Sequence, residues 1–326
     1  MEGVEQKKKK IIVLVMFCQY DLFIKEERAV RLTWAKSIFD GEYDNISYYA
    51  YLGDCKKAYI DEKNRIIYCK SGDGLWDTYQ KTSECIKQLL DNNIEFDYIF
   101  RTNTSTVNNI GLLDYFVNHL KTENVVYGGE YYCIGVPCPT NAFVYLRGNS
   151  LLLPRRYCEL IVEWDKYMRI PFQGFADDNI IGNVINTYHL LRYEPYIDYV
   201  KSYPFGFYKC YAGDEKNKSN GCCHWNNQDD TYDFLKNFIS IQIKSFSEYT
   251  KDRKMEEEVE KMAHISSIVN IKKDDYKDEL EYIANYFKNP YFYYYNKKKD
   301  IAKYVRIRDA VKNYPIYDKV YYFNVN

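Results

Sequence analysis

Hydrophobic and polar positions fall into blocks along the first 200 residues, and the blocks have two periods. Ile11 to Phe17 is a continuous apolar, β-branched run, the pattern of a strand buried on both faces. Ile46 to Leu52 and Arg65 to Cys69 predict two more strands, each rich in Ile and Tyr. Phe96 with Tyr98 to Phe100 predicts another, as do Val125 to Tyr127 and Phe143 to Leu146. Between these runs the spacing becomes helical. Ala29, Val30, Thr33, Trp34 and Ile38 share one side of a helix, and Tyr79, Thr82, Ile86, Leu89 and Leu90 mark a second over Thr78 to Leu90. Leu112, Leu113 and Phe116 open a third near Gly111 to Leu120. Leu151 to Trp164 reads as an amphipathic helix with Pro154 near its start, and Ile180, Ile181, Val184, Ile185 and Tyr188 mark the next.

Strands alternating with helices over the first 200 residues predict an α/β layered domain. From Asp229 onward the pattern changes to charged helices, about Tyr232 to Phe246, Glu256 to Ile265, Tyr276 to Phe287 and Asp300 to Lys312. The expected organisation is therefore a domain over 1–235 and a helical C-terminal extension over 236–326. Gly128, Gly129, Gly135, Pro137 and Pro139 lie in a loop long enough to shape a pocket.

Composition narrows the function classes. The chain has 326 residues, 46% hydrophobic and 28% charged, enough for a sizeable core and too apolar for general disorder. A net charge of −1 without a basic domain argues against nucleic acid as partner. The ten cysteines lack metal-type spacing, and adjacent Cys222 and Cys223 are a poor start for a tetrahedral zinc site. Lys7 to Lys10 precede an apolar run that ends at Cys18, too short to span a bilayer and without a small-residue cleavage site. A reducing, cytoplasmic setting is the expectation.

The candidate chemistry centres on Asp97-Tyr-Ile-Phe-Arg-Thr-Asn-Thr-Ser-Thr-Val-Asn-Asn109. A buried strand here ends in small hydrogen-bonding side chains and hands over to a helix, which is where open α/β sheets bind ligands. The same residues also suit an ordinary capped turn. Upstream, Arg28 and Arg31 are three apart on a helix and can reach a common anion; their spacing equally suits a solvated charged face. Downstream, Asp177 and Asp178 open a helix, as N-caps or as a carboxylate pair at a pocket mouth. The glycines at 72, 74, 128 and 129 make no dinucleotide fingerprint, and the chain has no Gly-x-Ser-x-Gly elbow.

Taken in order, these segments resemble the β-1,3-glycosyltransferases of the galactosyltransferase and Fringe type. Arg28-Ala-Val-Arg-Leu-Thr-Trp34 is similar to that family's Arg-x-x-x-Arg-x-Thr-Trp element, one spacer residue shorter. Asp77-Thr-Tyr79 is similar to its Asp-Ser-Tyr, and Tyr98-Ile-Phe-Arg101 with Asn109 to the strand and Asn around its metal-binding carboxylates. Leu146-Arg-Gly-Asn-Ser-Leu-Leu-Leu153 resembles its Ser-Gly-x-Gly-Tyr-x-Leu-Ser loop, and Asp177-Asp178-Asn-Ile-Ile-Gly182 its Glu/Asp-Asp-x-x-x-Gly motif. The resemblance spans roughly residues 11–235.

It implies a GT-A (Rossmann-like) fold with a mixed, mostly parallel sheet flanked by helices, a nucleotide-sugar donor, commonly a UDP-sugar, a glycan or glycoconjugate acceptor, and inversion at the anomeric carbon. By position Asp178 would be the general base, with Asp177 beside it. Arg28, Arg31, Arg101, Thr102, Asn103 and Ser105 would bind the donor, and Gly148, Ser150 and Trp225 the sugar or acceptor side. His224 lies where the family often supplies a late histidine, a candidate metal ligand or a packed histidine. Many relatives are anchored in the Golgi; without an anchor, a bacterial or viral enzyme acting in the cytoplasm fits better.

One departure bears on mechanism. Where the family carries aspartates that hold Mn²⁺ or Mg²⁺ against the diphosphate, this chain has Asn103-Thr104-Ser105, which are neutral. Three outcomes stand open. Metal-independent transfer would use Arg28, Arg31, Arg101 or Lys81 as countercharge, and it is preferred because Arg28, Arg31 and the Asp177-Asp178 motif are intact. A divalent cation held by the diphosphate and one remaining ligand is the second. A non-catalytic, carbohydrate-binding or structural relative is the third.

Overall fold

The computed structural model describes residues 7–120 continuously, most of 123–192, and separate stretches between 194 and 277. The chain opens with β1 (Ile11–Met16), whose side chains are almost all buried, as a both-faces-covered strand requires. It then forms α1 (Asp21–Leu32) and the short α2 (Lys36–Phe39). The single helix expected through Ile38 is broken because the Thr33 hydroxyl bonds back to the Ala29 carbonyl at 2.8 Å, which loosens the last turn. β2 (Ile46–Leu52), β3 (Tyr59–Asp61), β4 (Ile66–Tyr68) and α3 (Thr78–Asp91) follow.

β5 (Tyr98–Asn103) runs past its apolar start, so Arg101, Thr102 and Asn103 are strand residues. β6 (Thr106–Asn108) occupies part of what the sequence suggests as a polar turn, and α4 (Ile110–Asn118) begins where Asn109 Oδ1 accepts the Leu112 amide at 3.0 Å. Then come β7 (Val126–Gly128), β8 (Tyr131–Ile134), β9 (Phe143–Leu146), β10 (Ser150–Pro154), α5 (Arg155–Met168) and α6 (Asp177–Leu190). The described part closes with β11 (Val200–Lys201), β12 (Phe207–Ala212), β13 (Cys223–His224) and β14 (Ser240–Ser245).

Two expectations are corrected. Residues Leu151 to Pro154 are a strand, and the helix expected from Leu151 starts at Arg155. Three consecutive leucines, all buried, show no periodicity, and the strand they form lies between β5 and β7 in the sheet. Ser240–Ser245 is also a strand, where a helix over Tyr232 to Phe246 is expected. Its sequence SIQIKS alternates with period two, and charge in the surrounding stretch hides that signal.

The main sheet has eight strands in the order β11-β7-β10-β5-β1-β2-β4-β3. β1 pairs in parallel with both β2 and β5, whereas β10 runs antiparallel to β5 and β7, so the sheet is mixed. One face packs against α1, α2, α4 and Met262, Ile265, Val269 and Tyr276; the other packs against α3, α5 and α6. The α/β architecture read from the sequence is the observed one.

Topology positions the site. After β1 the chain adds β2 and β4 on one side, then returns to place β5 on the other. Strand order therefore reverses at β1, and the crevice at such a reversal is where open α/β sheets take ligands. The carboxyl ends of β1 and β5 stand side by side there, with Met16 in register with Asn103.

A second sheet, β13-β12-β14-β6, carries the chain away from that turn. β14 runs antiparallel to β6, and Ser240 Oγ donates to the buried Asn108 Oδ1 at 2.7 Å. Asn270 Oδ1 accepts the Ile110 amide at 3.0 Å, and Tyr276 sits against Gly111, where an added Cβ would lie 2.2 Å from its hydroxyl. Ile239, Met262, Ile265, Val269 and Tyr276 thus share the core of the α4 face.

Candidate functional site

Two carboxylates and an arginine meet at the carboxyl end of β5, on the α3/α5/α6 face. Residues alternate along β5, so Ile99 and Arg101 project to that face while Phe100 projects to the other. Arg101 is 2% exposed, and its Nη2 pairs with Asp177 Oδ2 at 2.5 Å. The same Nη2 lies 3.4 Å from Met16 Sδ at the end of β1. Burial alone would lower the Arg101 pKa, but Asp177 and Tyr51 outweigh it and the group stays charged. Thr82 on α3 completes the cage: its hydroxyl donates to Asp177 Oδ2 at 3.4 Å and meets the Tyr51 hydroxyl at 2.8 Å.

Asp177 starts α6, where its amide donates to Thr78 Oγ1 at 3.2 Å. Asp178 is half-buried beside it. Its Oδ2 accepts the Gly148 amide at 2.9 Å and its Oδ1 the Asn179 amide at 2.8 Å. Around it stand Val126, Leu146, Leu151, Ile181 and Ile185, an aliphatic wall with little to solvate a charge. Burial first, then the Asp177 charge, push the Asp178 pKa up to about 6, against the Gly148 amide and Arg101, which pull it down. A carboxyl tuned to that range is ionised at neutral pH and still basic enough to accept a proton.

Gly148 sits where a larger residue would crowd its neighbours. A Cβ there would lie 2.9 Å from Arg101 Nη1 and 3.0 Å from Asp178 Cβ. Ser150 is buried on β10 opposite Thr102, and among the described residues its hydroxyl has no partner. Alternation along β10 sets it with Leu152 on the α1/α2/α4 face, away from Asp178.

The turn after β5 is closed by its own side chains. Asn103 Oδ1 accepts from Ser105 Oγ at 3.0 Å and from Thr106 Oγ1 at 2.8 Å. Thr104 Oγ1 donates to Glu26 Oε2 at 2.5 Å, bringing a buried α1 carboxylate to the turn. This donor set does not suit a divalent cation, because Asn103 offers a neutral oxygen already bonded to two hydroxyls. Among the described residues no group of three or more His, Cys, Asp or Glu forms a metal site.

The remaining candidates are dispersed. Arg28 is exposed on α1. Arg31 pairs with Glu27 at 2.5 Å and lies over the rings of Phe39 and Tyr48. Lys81 is buried and paired with Asp73 at 2.6 Å. His224 is placed only as a backbone position of β13, in register with Tyr211 of β12, and Trp225 lies outside the described residues. Of the predicted site residues, Arg101, Asp177, Asp178 and Gly148 come together, with Thr102, Asn103 and Ser105 following along β5 and its turn.

Sequence reasoning did not find Thr82, Glu26 or Asp73. Asp73 is the most connected: Oδ1 accepts the Gly53 amide at 2.8 Å and Lys81 Nζ, and Oδ2 accepts the Gln19 amide at 2.8 Å. Lys81 Nζ also donates to the Phe17 carbonyl at 2.8 Å, so one ion pair ties the ends of β1 and β2 to α3. The signal available was Ser71-Gly-Asp-Gly74, a polar turn directly after a strand.

No family model matches the chain, and no curated protein matches its sequence. Among solved structures, the chain is similar to the "crystal structure of a glycosyltransferase involved in the glycosylation of the major capsid of PBCV-1". The match has 11% identity and a TM-score of 0.41, and covers 78% of this chain and 99% of that one. Likeness at that level fixes neither fold family nor activity. Among the described residues no helix is long and apolar enough to cross a membrane.

Proposed function

We propose that this chain is a GT-A-type glycosyltransferase that moves a sugar from a nucleotide-sugar donor, a UDP-sugar in the family it resembles, to an acceptor hydroxyl with inversion. The observation that carries the reading is Asp178: a half-buried carboxylate at the start of α6, beside the carboxyl end of β5, with its pKa raised to about 6. In the proposed step the Asp178 carboxylate takes the acceptor's hydroxyl proton as that oxygen bonds to the anomeric carbon. The bond from that carbon to the diphosphate breaks, and its electron pair leaves with the nucleoside diphosphate.

The crevice between the ends of β1 and β5 is the proposed donor seat, lined at Asn103 to Ser105. Of the three arginines, Arg28 is the exposed one, so we assign it to the diphosphate. Arg31 and Arg101 already hold carboxylates. No step is routed through a metal, because the turn offers no carboxylate of its own and Asn103 is engaged.

The test is a panel of nucleotide sugars incubated with the protein, with Mn²⁺ and with EDTA, followed by nucleotide release and thermal shift. Release from at least one donor, insensitive to EDTA and lost in Asp178→Asn, is expected. Absence of binding to every donor sinks the enzyme reading and leaves a non-catalytic carbohydrate-binding relative. Turnover that survives Asp178→Asn removes Asp178 as base.

A further inference from the structure

A buried arginine next to a pair of adjacent aspartates has two uses: it can neutralise a bound phosphate, or it can bind one of the aspartates. Arg101 does the second. Arg101 is 2% exposed and its Nη2 is turned to Asp177, with Tyr51 and Met16 beside it, while among the described residues its Nε has no partner. The pair is a single charge-assisted bond at 2.5 Å, shielded from water, so it holds Asp177 Oδ2 at the Arg101 Nη2. Asp177 is gripped further by Thr82, and its amide by Thr78, so the first residue of α6 is fixed from β5 and from α3.

The next residue of the helix inherits that fix. Asp178 turns to the other side, where the Gly148 backbone is wedged between it and Arg101, so that an added Cβ would force one of them to shift. The Gly148 amide then holds one oxygen of Asp178. Arg101, Asp177, Gly148 and Asp178 thus form one connected unit.

We propose that Arg101 is a positioning residue: it pins Asp177 so that α6 presents Asp178, and not Asp177, as the proton acceptor. The proposal deepens the transferase reading and rests on it for its catalytic meaning. The arrangement itself is testable without any turnover.

Among the described residues the charged groups acting on Asp178 are Asp177 on its own helix and Arg101 on β5, with the Gly148 and Asn179 amides. From α3, which also packs on α6, the group reaching the pair is the Thr82 hydroxyl. Two substitutions therefore act with opposite sign. Removing the cation in Arg101→Gln leaves two carboxylates side by side, and the Asp178 midpoint rises. Removing the neighbouring anion in Asp177→Asn lets it fall. Each shift should be about one pH unit or more, the usual effect of a close charge. Arg101→Lys keeps the charge without the fork, so the midpoint holds while the geometry loosens.

The experiment is a carboxyl-¹³C NMR titration of aspartate-labelled full-length protein, the Asp178 signal being assigned by its loss in Asp178→Asn. Circular dichroism checks folding; should Arg101→Gln fail to fold, Asp177→Asn and Arg101→Lys carry the test. Opposite shifts in the first two variants and a steady midpoint in Arg101→Lys support the proposal; shifts of one sign, or none, overturn it. UDP affinity supplies the second readout. Arg101→Lys should bind UDP within about twofold of the parent while nucleotide release falls tenfold or more, the signature of lost geometry in place of lost binding. A tenfold weaker UDP complex with an unmoved midpoint makes Arg101 a donor ligand and ends the positioning role. If no donor is turned over, the transferase reading falls and the titration still decides whether Arg101 sets the state of Asp178.

Discussion

The Lys81–Asp73 pair should be a principal strut of the strand-end region, and its two halves should not be equivalent. Both side chains are nearly sealed from solvent, at 2% and 4% exposure. Removing one partner of a buried pair costs about 3–5 kcal/mol, because the other charge stays behind without its match. The contacts decide where in that range each substitution falls. In Lys81→Met, Asp73 keeps the Gln19 and Gly53 amides, and one carbonyl, that of Phe17, loses a donor. That change should cost about 3 kcal/mol. In Asp73→Ala, Lys81 keeps a single carbonyl, and both strand-end amides lose their acceptor. That should cost about 5 kcal/mol. The double variant should cost clearly less than the sum, since the residues are in contact. Urea unfolding followed by far-ultraviolet circular dichroism measures all three, with equal slopes confirming that the midpoint reports stability. Lys8→Ala, at the exposed pair with Asp44, is the control and should leave the midpoint where it is. A cost below about 1 kcal/mol for Lys81→Met, or a larger cost for it than for Asp73→Ala, refutes the reasoning.

Further outcomes follow from the same geometry. The Asp178 carboxyl has its folded pKa raised to about 6, so the folded state holds a proton that the unfolded chain has released between about pH 4 and 6. Its protonated form favours folding, and that stability is lost as pH rises through this window. Asp178→Asn should therefore raise the melting temperature at pH 7.5 and change it little at pH 4, in a calorimetric pair of scans. Gly148→Ala should cost about 1–3 kcal/mol in thermal unfolding, because the new methyl meets Arg101 and Asp178 inside van der Waals contact. It should also depress nucleotide release strongly, and full activity would show that the wedge is unimportant. Leu153→Ala, at a fully buried position of β10 opposite Ile99, should cost about 2–5 kcal/mol by urea unfolding.

What could be read from the sequence follows from where the information lies. β1 and β2 were legible as apolar runs buried on both faces, and α3 and α6 as helical spacing whose apolar residues are buried. β10 was not, since Leu151-Leu-Leu153 suits a buried strand and a helix turn alike, and Pro154 suits the first turn of a helix. β14 was missed where alternation over Ser240–Ser245 lay in a charged region. At the site, Asp177 and Asp178 stood out as adjacent carboxylates opening a helix. The partnership of Arg101 with Asp177 did not, because it depends on β5 and α6 meeting at their ends, and no local pattern encodes that contact. Arg28 and Arg31 share a helix but not an environment: one is exposed, and the other is held by Glu27 and two rings. Spacing of three places side chains on one stripe, and what faces the stripe decides their use.

The distribution of charge around the strand ends then has a physical logic. A carboxylate that is to accept a proton must not be neutralised too well, since a tightly paired cation lowers its basicity. It must also sit where burial raises that basicity, yet a protein that buries carboxylates needs cations to hold its fold. Here the two demands are divided between neighbouring residues. Arg101 is committed to Asp177, Lys81 to Asp73 and Arg31 to Glu27, so these cations serve structural carboxylates. Asp178 is held by the amides of Gly148 and Asn179, which orient it without supplying a full positive charge. Its aliphatic surroundings and the Asp177 charge keep its proton affinity high, while Arg101, one residue removed, limits the rise. Adjacent aspartates at the head of one helix thus stand in opposite environments, Asp177 paired with the arginine on β5 and Asp178 held by amides, and the proposed proton acceptor is the one without the tight cation.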